Sequence, residues 1–201
     1  MIPPFFRLLL ICTLFFIHSA NAAFSETLVV RRTLPVTPDE AYQCTLQAWK
    51  ENLGLFLVPP PIFLSEGDPV TGAGLVLLRI PPAGLREGIV GREALSNNEG
   101  WVMTYRVLNP SLWTWPVQDH LGEIAMRQVD DEGDLGIDSS GSDGKDKEVA
   151  TSLEWSVRWT PLLTWLPFFP EALKVITTMV IETAASHVVR LGEAPSVRSE
   201  L

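Results

Sequence analysis

The chain has no cluster of basic residues. Its 15 Lys and Arg stand singly or in pairs against 24 Asp and Glu, for a formal net charge of −9. Phosphate backbones are held by grouped cations, so nucleic acid is excluded as a partner. Cysteine is almost absent. Of the two, Cys12 sits in an N-terminal apolar run and is expected to leave with it, so Cys44 stands alone and no internal disulfide can form. Cys44 falls in an amphipathic helical pattern, which predicts a buried, inert thiol. Metal-ligand spacing is missing as well, with no HxH, HExxH or paired cysteines. Neither a nucleophile elbow nor a Ser-His-Asp order appears, and Gly72-Ala73-Gly74 is too short and precedes a strand, whereas phosphate cradles precede a helix. No metal and no cofactor are expected. Tyrosine is scarce at two residues while tryptophan reaches seven. Rings of that size fill a core or wall an apolar pocket.

The N-terminus reads as an export signal. One positive charge lies within Met1 to Arg7, Leu8 to Ile17 is nearly all apolar, and Ala20-Asn21-Ala22 supplies an A-x-A cleavage site. The apolar run is about ten residues, short of the roughly 20 a membrane-spanning helix needs. The mature chain is therefore expected to begin at Ala23 and to reside in the secretory pathway, secreted or in a lumen or periplasm. At 201 residues in all, what remains suits one domain, taken as residues 23–191 with a frayed tail at 192–201.

Thr27 to Leu34 alternates as a strand ended by Pro35. Thr37-Pro38-Asp39-Glu40 is a helix start, with Thr37 and Glu40 placed for a capping box and Pro38 at the first helical position. Ala41, Cys44, Thr45, Ala48 and Trp49 then recur at helical spacing toward a stop near Gly54. Leu55 to Pro61 is apolar and proline-rich, a connector or short helical turn rather than a strand. Leu75 to Ile80, Leu85 to Leu95, Trp101 to Leu108, Gln118 to Val129 and Glu148 to Thr160 follow as five strands of an antiparallel meander. In the last, Val149, Thr151, Leu153, Trp155, Val157 and Trp159 share one side. Trp101, Met103, Tyr105 and Val107 line up in the third, whose opposite side is also partly apolar, so it belongs at the sheet's centre. Asp130 to Lys147 is a polar, acidic excursion, read as a solvated hairpin; its carboxylates lack the ligand order of a calcium loop. Pro170 to Leu191 closes the chain as a long helix. Its apolar stripe is drawn through Leu173, Ile176, Val180, Ala184 and His187 with Met179, Thr183 and Val188, and Gly192 is its stop.

Strand, helix, connector, meander and closing helix is the element order of the helix-grip fold. The residues resemble the polyketide cyclase/dehydrase and lipid-transport branch of the START-like (SRPBCC) superfamily. The resemblance is carried by Thr33-Leu34-Pro35-Val36-Thr37-Pro38-Asp39-Glu40-Ala41-Tyr42, by Gly72-Ala73-Gly74, and by Gly100 through Val107 (GWVMTYRV). His120-Leu121-Gly122-Glu123-Ile124 and Thr151 through Val157 (TSLEWSV) continue it, from Glu26 to Leu191. It implies an α+β fold with a curved antiparallel sheet of six strands around the last helix, and a cavity between them for a hydrophobic small molecule or lipid. The export signal and the acidic excursion depart from the family pattern.

Trp101, Met103, Trp155, Val157 and Trp159 on the sheet, with Ile176, Val180 and His187 on the helix, are the expected ligand-binding wall. Tyr105 is either a core ring or a hydroxyl aimed at a ligand carbonyl, and His120 either a structural residue or a general base. Tyr105 and His120 are the catalytic candidates if there is turnover of the cyclase/dehydratase kind. Arg86/Glu87 and Arg92/Glu93 each place one member inward, where an arginine can clamp a carboxylate, and one outward. Trp113, Trp115, Trp165, Phe168 and Phe169 gather in proline-flanked loops. They read as core plugs, as a lid, or as a patch for transient contact with a membrane surface.

Overall fold

The computed structural model describes residues 26–51, 60–79, 84–96, 99–111, 115–129, 149–163 and 168–194. The expected export signal, most of the connector, the acidic excursion, Trp113, Trp165 and most of the tail lie outside the described residues.

The elements run β1 (Glu26–Leu34), α1 (Pro38–Lys50), β2 (Ile62–Glu66), β3 (Leu75–Arg79), β4 (Leu85–Ala94), β5 (Gly100–Val107), β6 (Val117–Val129), β7 (Ala150–Pro161) and α2 (Phe169–Glu193). One antiparallel sheet of seven strands holds them in the order β1-β7-β6-β5-β4-β3-β2. The expected count of six is thereby corrected. β2 was missed because all its residues are exposed: as an edge strand with neither face buried it has no alternation to betray it. β5 occupies the centre, as its two partly apolar faces predict.

α1 starts where the capping box places it. Thr37 Oγ1 accepts from the Glu40 N–H at 3.3 Å and Glu40 Oε2 accepts from the Thr37 N–H at 2.8 Å. The helix lies on the inner face of the sheet, across β5, β6 and β7 and beside α2. Burial therefore covers more than one stripe, adding Tyr42 and Leu46 to the predicted set. Cys44 is buried within it.

α2 packs chiefly on β1 and α1, and the side it turns inward differs from the predicted stripe. Leu173, Thr177, Ile181, Ala184, Ala185, Val188 and Gly192 are buried, whereas Ile176 and Met179 are 52% and 63% exposed. Small residues let the helix approach β1 closely. At Gly192 an added Cβ would lie at ordinary contact distance, 3.4 Å from Leu34 Cδ2, and the helix ends one residue beyond it, at Glu193. By length and composition α2 could cross a membrane, yet its buried face is built into this core.

Candidate ligand site on the inner face of the sheet

Tyr105 on β5 is the hub. Its ring lies on Gly122 of the neighbouring β6, where an added Cβ would come within 2.0 Å of Tyr105 Cζ; only the absence of a side chain there lets the phenol cross the strand. The hydroxyl reaches β7, accepting from Trp155 Nε1 at 2.8 Å. Trp49, at the end of α1, packs edge-on against Tyr105 with centroids 4.4 Å apart and stacks on Trp155 at 6.1 Å. Burial pushes the phenol of Tyr105 far above its ordinary 10, more than the Trp155 hydrogen bond lowers it, so Tyr105 stays neutral and keeps its proton.

His120 joins this cluster through a break in β6. The pairing with β7 shifts register between Gln118 and Leu121, and Asp119 takes a left-handed φ of 53°, a conformation Asp tolerates better than most residues. The imidazole comes within 5.7 Å of the Tyr105 ring, centroid to centroid, and Nδ1 accepts from the Val107 N–H at 3.3 Å. Desolvation holds its pKa below the usual 6.5, against the pull of the Glu87 carboxylate. The ring is therefore a neutral imidazole with its hydrogen on Nε2.

A buried ion pair flanks the rings. Arg79 Nε donates to Glu87 Oε2 at 2.5 Å, the side chains being 4% and 13% exposed. Arg79 Nη2 also donates to the Trp49 carbonyl at 2.8 Å, and its guanidinium lies 5.3 Å from the Trp49 ring centroid. The cation thus caps the last turn of α1, where carbonyls lack partners and the helix dipole favours positive charge. Sequence reasoning passed over Arg79, although Leu75, Leu77 and Arg79 alternate on the buried face of β3 and mark it as inward.

In the two acid-base pairs of β4, Glu87 and Arg92 turn inward while Arg86 and Glu93 are exposed. Glu87 and Arg92 are five positions apart, and strict alternation would send them to opposite faces. A bulge between Ile89 and Gly91 re-phases the strand. Arg92 is held 3.5 Å above the Trp101 ring and 4.4 Å from that of Tyr42, with Nη2 2.5 Å from Asp39 Oδ1. This clasp ties α1 to β4 and β5.

Of the predicted wall, Met103, Trp155, Val157 and Trp159 are buried on the inner face, with Trp155 in the Tyr105 cluster. Trp101 is half-buried and engaged by Arg92. Val180 is half-buried and Ile176 exposed. His187 lies 3.3 Å from Glu51 Oε2 just past α1. Helical geometry sets Ile176, Met179, Val180, Thr183 and His187 on a second side of α2, adjoining the one packed on β1. Of the loop aromatics, Trp115 and Phe169 pack against the core and Phe168 is 82% exposed. Trp49 Nε1, Trp159 Nε1 and Arg92 Nε are buried with no acceptor among the described residues, at a cost of about 1–3 kcal/mol for each indole. Among the described residues no three His, Cys, Asp or Glu side chains gather as metal ligands. A shallow groove on the opposite face of the sheet, lined by Thr27, Leu121, Glu123, Ser156 and Arg158, is polar and unsuited to a greasy guest.

No protein-family profile matches the chain, and no curated protein matches it. Solved structures do. Norcoclaurine synthase from Thalictrum flavum, in complex with dopamine and hydroxybenzaldehyde, superposes with a TM-score of 0.54 at 13% identity, covering 87% of this chain and 90% of that one. A protein from Nitrosospira multiformis gives 0.53 at 13% identity over 86% and 99%. The di-domain ARO/CYC StfQ of the steffimycin biosynthetic pathway gives 0.51 at 14% identity over 87% of this chain. The match spans about half of that protein, 51% of its length. An antiparallel sheet gripping a long C-terminal helix defines the helix-grip class. Within it, the chain shares the fold of these three solved structures.

Proposed function

We propose that this is an exported START-like binding protein that holds a hydrophobic small molecule or lipid between the inner face of the sheet and α2, without turning it over. The observation that carries this reading is the second apolar side of α2. Ile176 and Met179 remain exposed beside a side fully packed on β1, and a helix apolar on two sides but packed on one leaves surface for a guest. The dopamine and hydroxybenzaldehyde bound by norcoclaurine synthase support a small-molecule guest in this fold. The leader ending at Ala20-Asn21-Ala22 supports export, and amino-terminal sequencing of the exported chain should begin at Ala23. The exposed Phe168 supports transient contact with a membrane surface during exchange.

Native mass spectrometry after gentle purification, followed by lipid extraction, tests the central claim. A co-purifying apolar compound is expected. A protein that emerges empty and also fails to bind fluorescent lipids refutes it. Ile176→Asp provides the complementary test: the side chain is already half in water, so stability should hold while affinity falls at least tenfold on burying a charge under the guest.

A cyclase- or dehydratase-like enzyme is the second reading, favoured by a neutral His120 beside the Tyr105 ring. Tyr105, held protonated by its raised pKa, would polarise a substrate carbonyl as a hydrogen-bond donor, and His120 would transfer the proton. Replacing both residues should abolish turnover with binding retained; unchanged turnover removes them from the chemistry.

A further inference from the structure

We infer that the guest meets the Tyr105 cluster with a neutral hydrogen-bond acceptor, a ketone, aldehyde, ester or quinone carbonyl, rather than with a carboxylate or an amine. This rests on the reading of an apolar guest under α2 and specifies its polar end.

Among the described residues, three hydrogens around one ring have no acceptor. Trp49 Nε1 is fully buried and has no partner among the described residues. Tyr105 spends an oxygen lone pair on Trp155 Nε1 and retains its own O–H. His120 accepts through Nδ1 from the Val107 N–H, which fixes the hydrogen on Nε2. Trp49 and His120 flank Tyr105 at 4.4 and 5.7 Å between centroids, so the three donors are carried by one cluster of rings. Buried donors are ordinarily matched, and a set of N–H and O–H groups is answered by an oxygen that only accepts.

Charge decides which oxygen. A desolvated carboxylate needs an uncompensated cation, but the charge of Arg79 is balanced by Glu87 at 2.5 Å and that of Arg92 by Asp39, although Arg92 Nε keeps a buried hydrogen with no acceptor among the described residues. An ammonium needs a carboxylate to receive it, and Glu87 is committed to Arg79. A carbonyl asks for neither, and it matches neutral donors in low-dielectric surroundings.

The test is a matched series on one aromatic body: acetylnaphthalene, ethylnaphthalene, naphthoate and naphthylmethylamine. Affinities are measured by calorimetry on the full mature protein, and the C=O stretch of the bound ketone by infrared difference spectroscopy. The ketone should bind about tenfold more tightly than the ethyl compound, both charged probes more weakly than either, and its C=O band should move to lower frequency. Trp49→Phe keeps an aromatic six-membered ring but removes the N–H and part of the indole's bulk. The ethyl compound reads the packing lost; relative to it the ketone preference should fall, and the band should return part of the way. A ketone no tighter than the ethyl compound, or a charged probe binding best, overturns the inference while leaving an apolar guest in place. Failure of every probe, the hydrocarbon included, overturns the binding reading and this inference with it.

Discussion

Gly122→Ala places the sharpest demand on the site. The new methyl would lie 2.0 Å from Tyr105 Cζ, 2.1 Å from Cε1 and 2.5 Å from the hydroxyl oxygen, against about 3.5–4.0 Å for carbon atoms in good contact. The ring must withdraw by well over an ångström. It cannot do so freely, since Trp49 backs it at 4.4 Å and Trp155 holds its hydroxyl at 2.8 Å. Overpacking costs about 1–3 kcal/mol, and losing the Trp155 bond adds about 1 kcal/mol, for a total of about 2–4 kcal/mol. At about 2–4 °C per kcal/mol in a domain of this size, the thermal midpoint should fall by roughly 4–16 °C. Urea denaturation of wild type, Gly122→Ala, Tyr105→Ala and the double variant isolates the contact. In the Tyr105→Ala background the glycine substitution should cost less than about 0.5 kcal/mol. An equal cost with and without the ring would refute the claim that Gly122 exists to seat Tyr105.

Breaking the buried pair by Glu87→Gln or Arg79→Met should destabilise by about 3–5 kcal/mol, whereas replacing both partners with apolar residues should cost far less; denaturant midpoints of the three proteins decide it. The depressed pKa of His120 means the unfolded chain binds a proton more readily. Its neutral form therefore contributes stability above pH 6.5 that is lost as pH falls through the lower folded value, and His120→Gln should flatten the stability profile below that pH. Cys44, fully buried, with its thiol pushed up to about 11 by burial and by Glu40, should resist thiol reagents at pH 8 until the protein unfolds; fast labelling of the native protein would contradict its placement.

Legibility from sequence followed the completeness of burial. β7 was readable because one side is packed throughout, and α1 because its cap is local chemistry between Thr37 and Glu40. β2 carried no signal because both of its faces meet water. The inward turns of Arg92 and His120 depend on a bulge and on a left-handed Asp119, and side-chain alternation says nothing of either. On α2 the predicted stripe followed the largest side chains, while the packed side uses Ala184, Ala185 and Gly192, because close approach to a strand selects for small residues. Ile176 and Val180 were named as ligand wall from that stripe, and it is the side β1 leaves uncovered. Trp49 and Arg79 escaped notice because each reads as a routine member of its own element, and they meet only in three dimensions.

One guanidinium ends a helix, neutralises a strand carboxylate and lies beside an indole. The C-terminal end of α1 is consequently riveted to the β3–β4 hairpin, so any strain that lifts this helix terminus should be felt at once by the hairpin and by the aromatic floor.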